Sequence, residues 1–266
     1  MLKYNQKIIN ALKKCGIKKN DVLLLHSDIS KLGRQEGTLK HQLENFLHSI
    51  KALVGKNGTI VVPAFYFEYS RHSKAFKVPG SPVSKELGLF PSFFCKQKKV
   101  LRSLNPLTSV AALGKKAKYI CGNNEVSAYG VDSPFDKLTK LKAKMAFVGV
   151  DCRAMNYLHY VEYMVGVPHV YNKLFSTNIY IHNKKVNLPV CNQVRYLDFS
   201  VNYDRNGNTK KFEKAGLIKK VKFEKDYIRV TSVDKIFNFV KKKLKKNFYY
   251  LLKHKPKFKK INIPLI

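Results

Sequence analysis

The stretch Val22-Leu23-Leu24-Leu25-His26-Ser27-Asp28-Ile29-Ser30-Lys31-Leu32-Gly33 decides the fold class. Four aliphatic residues after an Asn20-Asp21 turn read as a strand buried on both faces. Polar and small residues follow at once, from His26 to Gly33, as a loop. Leu39, Leu43, Phe46, Leu47, Ile50 and Leu53 then recur at helical spacing, and Gly55 stands where that helix should stop. Asn57-Gly58 turns the chain into a second strand, Thr59-Ile60-Val61-Val62, closed by Pro63. Strand, loop, helix, strand is the opening of a layered α/β domain.

Working outward, residues 64–109 are rich in Gly, Pro, Ser and aromatics and read as loops with short helices. Val110-Ala111-Ala112-Leu113 forms a further short segment. Ser133-Pro134 is an N-cap followed by proline at the first helical position. Met145-Ala146-Phe147-Val148-Gly149-Val150 reads as a third buried strand that feeds directly into a helix carrying His159. In open α/β sheets ligands collect where strands end and helices begin, which marks 26–33 and 151–162 as candidate site segments. Beyond 176 the pattern changes. A hairpin is expected from Ile179-Tyr180-Ile181 through Asn183-Lys184-Lys185 to 186–190, with short strands over 194–199 and 219–223. Val233, Ile236, Phe237, Val240, Leu244, Phe248 and Leu251 form a helical stripe with lysines between, read as a docked helix with a solvated basic face.

The 266 residues can bury a core, and no apolar run reaches the roughly 18 residues needed to span a bilayer. The five cysteines are scattered without a CxxC pair, which argues against a disulfide frame or structural zinc; with no signal-peptide core at the start, a cytoplasmic location is expected. Fifty-one Lys and Arg against 17 Asp and Glu give +34. Lysine dominates, alongside abundant Asn, Ile, Tyr and Phe, so the charge has two readings: the bias of an AT-rich genome, or an anionic ligand. Either way it disfavours a polycationic substrate.

Asn156-x-x-His159-x-x-Glu162 is the most informative local arrangement, because residues at i, i+3 and i+6 share a helical face. A histidine with a carboxylate one turn away suits a general base and its orienting partner, and acylation of an amine needs such a base. A surface His–Glu pair is the plain alternative. HxxE without further ligands falls short of a metal site. Small and hydroxyl residues in the 26–33 loop would let backbone N–H groups approach phosphates, with Lys31 adding charge. Arg102-Ser103 could supply a phosphate fork. Cys152 would be a thiol nucleophile or a buried structural cysteine.

Several segments, in order, resemble the aminoglycoside 3-N-acetyltransferase family, a non-GNAT group. Leu25 to Gly33 is similar to its HSSLSxLG loop, and Gly58-Thr59-Ile60-Val61-Val62-Pro63-Ala64-Phe65 to GTLVMPTF. Ser81-Pro82, Gly88-Leu89-Phe90-Pro91, Arg102-Ser103-Leu104-Asn105-Pro106 and the run Ser109 to Gly114 follow its middle region. Gly130 to Leu138 matches GxxSPxxKL, and His159-Tyr160-Val161-Glu162 its HxxE helix. The match is good over residues 7 to about 168 and loose beyond. Asp28, Asn105 and Asn156 depart from the family's usual serine, histidine and threonine or serine.

The resemblance implies one domain over 1–266 with a central mixed sheet flanked by helices. Its donor-binding and catalytic core would lie in 1–175, and a strand-rich and helical part in 176–266. It implies acyl transfer without a metal, with His159 as general base and Glu162 as its partner. The donor, coenzyme A or the phosphopantetheine of an acyl carrier protein, would contact His26, Ser27, Asp28, Ser30, Lys31, Leu32, Gly33, Arg102, Ser103, Ser109 and Val110. The acceptor would meet Phe65, Tyr66, Asn105, Asp132 and Asn156. Charge favours a nucleotide-linked amino sugar for surface polysaccharide synthesis over an aminoglycoside as that small-molecule acceptor. No nucleic acid or membrane span is expected, and a homodimer is open. The competing class is a nucleic-acid or membrane-surface binder working through the basic 241–260 segment.

Overall fold

The protein is described from a computed structural model covering residues 3–33, 37–122, 127–197 and 199–258. A seven-stranded mixed sheet forms its centre. Three parallel strands occupy the middle: Val22–Ser27 lies between Thr59–Pro63 and Lys144–Val148, in register through Val22 with Thr59 and Ser27 with Val148. Antiparallel strands extend both flanks. Val110–Gly114 and Leu101–Arg102 add to one side, and Asp226–Ser232 and Ile218–Phe223 to the other.

The continuous Val-Leu-Leu-Leu run follows from burial of both sheet faces. Val22 and Leu24 join a core with Phe135, Tyr157, Val161, Ile236 and Val240, whose helices are Pro134–Lys140, Tyr157–Val165 and Val233–Lys246. Leu23 and Leu25 point the other way, into a core with Leu12, Phe46, Ile50 and Phe90 from helices Lys3–Lys14, Leu39–Val54 and Leu89–Phe94. The period-two alternation of one strand thus glues two helical layers to one sheet.

The helix after Val22–Ser27 lies on one face and the helix after Lys144–Val148 on the opposite face. The chain therefore leaves two adjacent parallel strands in opposite directions, which opens a crevice at their carboxyl ends. The two exits nearly touch: the Asp28 N–H donates to the Val148 carbonyl at 2.9 Å. Gly149 has φ +69°, and a Cβ there would collide with the Asp28 carbonyl oxygen, so only glycine fits.

Several sequence expectations need adjustment. The first strand runs two residues further, through Ser27, because His26 and Ser27 keep pairing with Phe147 and Val148. The third strand ends at Val148, and a short 3₁₀ turn at Cys152–Ala154, capped by Asp151, precedes the His159 helix. The hairpin is shorter than expected: Ile179–Ile181 pairs with Lys184–Val186. Val190–Arg195 instead forms a separate ribbon with Val170–Phe175. The C-terminal helix ends at Lys246, leaving Phe248 exposed rather than in the stripe.

Candidate active site

His159 and Glu162 project from the helix Tyr157–Val165, whose other face is anchored by Tyr157, Tyr160 and Val161. The Tyr160 hydroxyl donates to Asp136 at 2.9 Å and so fixes the helix against its neighbour. One helical turn separates the two site residues, and His159 Nδ1 lies 2.9 Å from Glu162 Oε2. The Glu162 carboxylate is fully buried, whereas 40% of the His159 side chain is exposed.

Two further side chains close on the same carboxylate. His169 Nε2 lies 2.9 Å from Oε1, and the Tyr203 hydroxyl donates to Oε2 at 2.9 Å. Gly166, in the left-handed conformation at the helix end (φ 74°, ψ 51°), reverses the chain and brings His169 back over Glu162. Tyr203 also packs edge-on against the His159 ring, at 5.2 Å between centroids. Burial alone would raise the Glu162 pKa, but hydrogen bonds from His159 and His169 outweigh it and hold the carboxyl below its ordinary 4.5. Burial, reinforced by that carboxylate, pushes the Tyr203 phenol well above its usual range, so it stays a donor.

The arrangement sets a tautomer. An ionised carboxylate accepts only, so His159 presents Nδ1–H to Glu162, and the neutral ring in that tautomer carries its lone pair on Nε2. The ring stands where two clefts meet. One, of about 370 Å³, lies at the strand ends against His26, Ser27, Pro63, Cys152 and Leu158. The other, of about 860 Å³, lies outward under the ribbon Val170–Phe175/Val190–Arg195. His159, Asn156, Phe65, Phe67, Tyr203 and Arg205 border both.

Of the residues expected at the donor and acceptor, His26 and Ser27 line the inner cleft with His159, and Phe65 and Asn156 line both clefts. Among the described residues, the buried atoms His26 Nε2, Ser27 Oγ and Asn156 Oδ1 find no hydrogen-bond partner. The His26 ring stacks on Phe147 at 5.1 Å, and burial lowers its pKa from 6.5 to about 4, so it is neutral near pH 7. Asp28 does not reach the cleft wall. It caps the 3₁₀ turn Ile29–Lys31, accepting from the Ser30 N–H and hydroxyl, while Lys31 lies 3.7 Å from its carboxylate. Gly33 packs beside Glu224.

Other residues expected to meet donor or acceptor are engaged within the fold or lie away from the two clefts. Leu32 is a core residue. The Ser103 hydroxyl accepts from the Val110 N–H at 3.0 Å, the Ser109 hydroxyl donates to the Ala64 carbonyl, and Val110 is a central strand residue; none borders either cleft. Arg102 is tied into the fold. Its guanidinium donates to the carbonyls of Ala64, Ser81 and Pro82 and lies 4.8 Å over the Phe76 ring, and burial lowers its pKa to about 10. Tyr66 stacks on Phe76 in a satellite core. Asn105 Oδ1 accepts from the Leu107 N–H, and Asp132 pairs with Lys140 at 2.9 Å, both outside the clefts. Cys152 borders the inner cleft, yet burial pushes its thiol up to about 12, which disfavours the thiolate a nucleophile needs.

Sequence reasoning missed His169, Tyr203 and the ribbon. The Gly166-x-Pro168 signal marks the helix end, but nothing local ties His169 to a carboxylate seven residues back. Among the described residues, no helix is long and apolar enough to cross a membrane.

Comparison with known proteins identifies the family. A sequence profile described as Aminoglycoside 3-N-acetyltransferase matches residues 24–245. Aminoglycoside N(3)-acetyltransferase III of Salmonella sp is 25% identical over 177 residues, 60% of this chain and 60% of that protein. The match thus spans less than two thirds of that relative's length. The SPbeta prophage-derived aminoglycoside N(3')-acetyltransferase-like protein YokD of Bacillus subtilis is 25% identical over 201 residues, 68% of this chain and 72% of that protein. Among solved structures, AAC-IIIb in a binary complex with CoASH superposes with TM-score 0.78 at 19% identity, over 91% of this chain and 96% of that one. Sisomicin-bound AAC-VIa gives 0.79 at 16%, over 91% and 97%. With the fold shared across nearly the whole chain and the profile matching most of it, the chain belongs to the aminoglycoside 3-N-acetyltransferase family.

Proposed function

We propose that this protein transfers an acetyl group from acetyl-CoA to an amine of an amino sugar, with His159 as general base. The observation that carries the reading is one half-exposed imidazole, set between two clefts, whose Nδ1 is held by a buried carboxylate. The donor enters the inner cleft beside His26 and Ser27, and the acceptor occupies the outer one. The neutral amine attacks the thioester carbonyl while His159 Nε2 takes the amine proton. Collapse of the adduct breaks the C–S bond, and the imidazolium returns the proton to the departing thiolate. Glu162 keeps the ring in the required tautomer and stabilises the imidazolium that forms. Glu162, His169 and Tyr203 are positioning residues.

The relatives' names favour CoA as donor and an aminoglycoside as acceptor; they name no carrier protein and no nucleotide-linked amino sugar. Initial rates with acetyl-CoA and with an acetylated carrier protein, across a salt series, separate the two donors. The decisive experiment is product mass after incubation with acetyl-CoA and a mixed panel of amino sugars and aminoglycosides. One acceptor should gain one acetyl group, and not with His159→Ala. Acetylation of no amine by wild type would end this reading.

A further inference from the structure

The charge of this chain is not evenly spread. Beyond Asp234 the sequence holds 11 lysines, no arginine and none of the 17 Asp and Glu, so about a third of the overall +34 sits on about an eighth of the residues. A bias that enriches lysine throughout does not by itself empty one segment of acids.

The helix Val233–Lys246 gives that charge a geometry. Its apolar side, Val233, Ile236, Val240 and Leu244, is docked in the core with Tyr157 and Val161. At 3.6 residues per turn, Lys235, Lys242 and Lys246 fall within about 20° of one line on the opposite side, a line about 17 Å long, with Lys243 and Lys245 flanking it. All five are exposed, as are Lys253, Lys255 and Lys257 further on. Phe248 lies just past the helix end and is 44% exposed; among the described residues no ring or cation packs on it.

This face suits a layer of anionic headgroups better than a nucleic acid. The neighbouring rings already carry cations: Lys241 lies 5.2 Å over Phe237, Lys243 5.4 Å over Phe239 and Lys255 5.8 Å over Tyr249. Those rings are therefore closed to stacking bases. Arginine, the side chain that forks onto paired phosphate oxygens and guanine edges, is missing from the segment, whereas lysine acts as a point charge and serves diffuse attraction to a charged surface. One uncovered phenyl ring beside the lysines can settle at the boundary of headgroups and acyl chains. Among the described residues no helix is long and apolar enough to cross a membrane, so such a contact is peripheral.

We propose that the lysine face of Val233–Lys246 docks this protein on an anionic phospholipid surface, with Phe248 entering the headgroup layer. No residue of 233–258 lines the inner or the outer cleft, so the contact takes none of the residues that border them, and it stands apart from the acetyl-transfer reading.

The test is co-sedimentation with vesicles of phosphatidylcholine alone and with roughly a third phosphatidylglycerol, at about 0.15 M salt, where long-range attraction to net charge is largely screened. Wild type is compared with Lys235→Gln/Lys242→Gln/Lys245→Gln/Lys246→Gln and with a control of equal charge, Lys14→Gln/Lys18→Gln/Lys51→Gln/Lys56→Gln. All eight side chains are exposed and none pairs with a carboxylate among the described residues. A lysine close to an anionic leaflet is worth about fivefold in affinity, so the helix variant should lose at least about thirtyfold on the anionic vesicles. The control should change by less than about threefold, and Phe248→Ser should lose about threefold or more. Phosphatidylcholine alone should sediment none of the proteins. Melting temperatures check folding; should the helix variant fail to fold, Lys242→Gln/Lys246→Gln is read in the same way, with a loss of about tenfold or more expected. Equal losses in the helix variant and the control overturn the proposal, since that is attraction to net charge and not a face. Binding of wild type to neutral vesicles as tightly as to anionic ones also overturns it, and so does a Phe248→Ser protein that binds like wild type. An oligonucleotide bound more tightly than the anionic vesicles, and weakened by the same four substitutions, overturns it and gives the face to nucleic acid.

Discussion

Replacing Glu162 by glutamine tests whether the buried carboxylate works as an ionised clamp. Three donors, His159, His169 and Tyr203, converge on its two oxygens at 2.9 Å each. A hydrogen bond to a charged group contributes ~1.5–3 kcal/mol against ~0.5–1.5 for a neutral one, so each loses about 1 kcal/mol on neutralisation. Glutamine also turns one acceptor oxygen into a donor that faces another donor. The expected cost is about 3 kcal/mol, or at ~2–4 °C per kcal/mol a melting temperature lower by roughly 6–12 °C. The amide can no longer impose Nδ1–H on His159, so turnover should fall by roughly 10²-fold or more, at the low end of what a missing general base costs. Because the folded-state pKa of Glu162 is depressed, its stabilisation is complete above the unfolded value and is lost as pH falls through the folded value. The gap in melting temperature between wild type and variant should therefore be constant near neutrality and narrow below pH 4.5. Circular-dichroism melts over pH 3–8 and a thiol-release assay provide the two readouts. A variant that melts within about 1 °C of wild type and turns over within about threefold would refute the clamp.

Further outcomes follow from individual side chains. His159→Ala should lower kcat by about 10²–10⁴-fold and, by removing one of three donors to the buried Glu162 carboxylate, lower stability by about 1.5–3 kcal/mol; thiol release with acetyl-CoA measures the first, and near wild-type turnover would show His159 misassigned. Cys152→Ala should retain acetyl transfer, since the thiol is pushed up to about 12; complete loss would indicate a cysteine acyl intermediate. His26 has a folded pKa of about 4 against 6.5, so it destabilises the fold progressively as pH falls through that window. His26→Leu should remove up to about 3 kcal/mol of that acid sensitivity, and urea melts at pH 7 and pH 4.5 that differ as in wild type would contradict the burial argument.

The sheet's centre was legible because burial on both faces writes a continuous aliphatic run at Val22-Leu23-Leu24-Leu25 and at Met145-Ala146-Phe147-Val148. Gly55 and Ser133-Pro134 marked helix ends for the same local reason. The ribbon was not legible: Val170–Phe175 is mostly exposed, so its alternation of Tyr171, Lys173 and Phe175 carries no apolar signature of a strand. At the site, His159 and Glu162 were visible through helical spacing. His169 and Tyr203 were not, because tertiary folding alone brings them to the carboxylate. Arg102 shows the opposite case: residue type suggested phosphate binding, whereas its guanidinium is directed at main-chain carbonyls, which residue type cannot reveal.

His159 is a party wall between two chambers, and that has a kinetic corollary. In the proposed transfer neither reactant need vacate its room before the other arrives, and the Cys152 thiol, pushed up to about 12 by burial, is a poor store for the acyl group in between. Double-reciprocal plots with both substrates varied should intersect rather than run parallel, and each product should be able to depart by its own door.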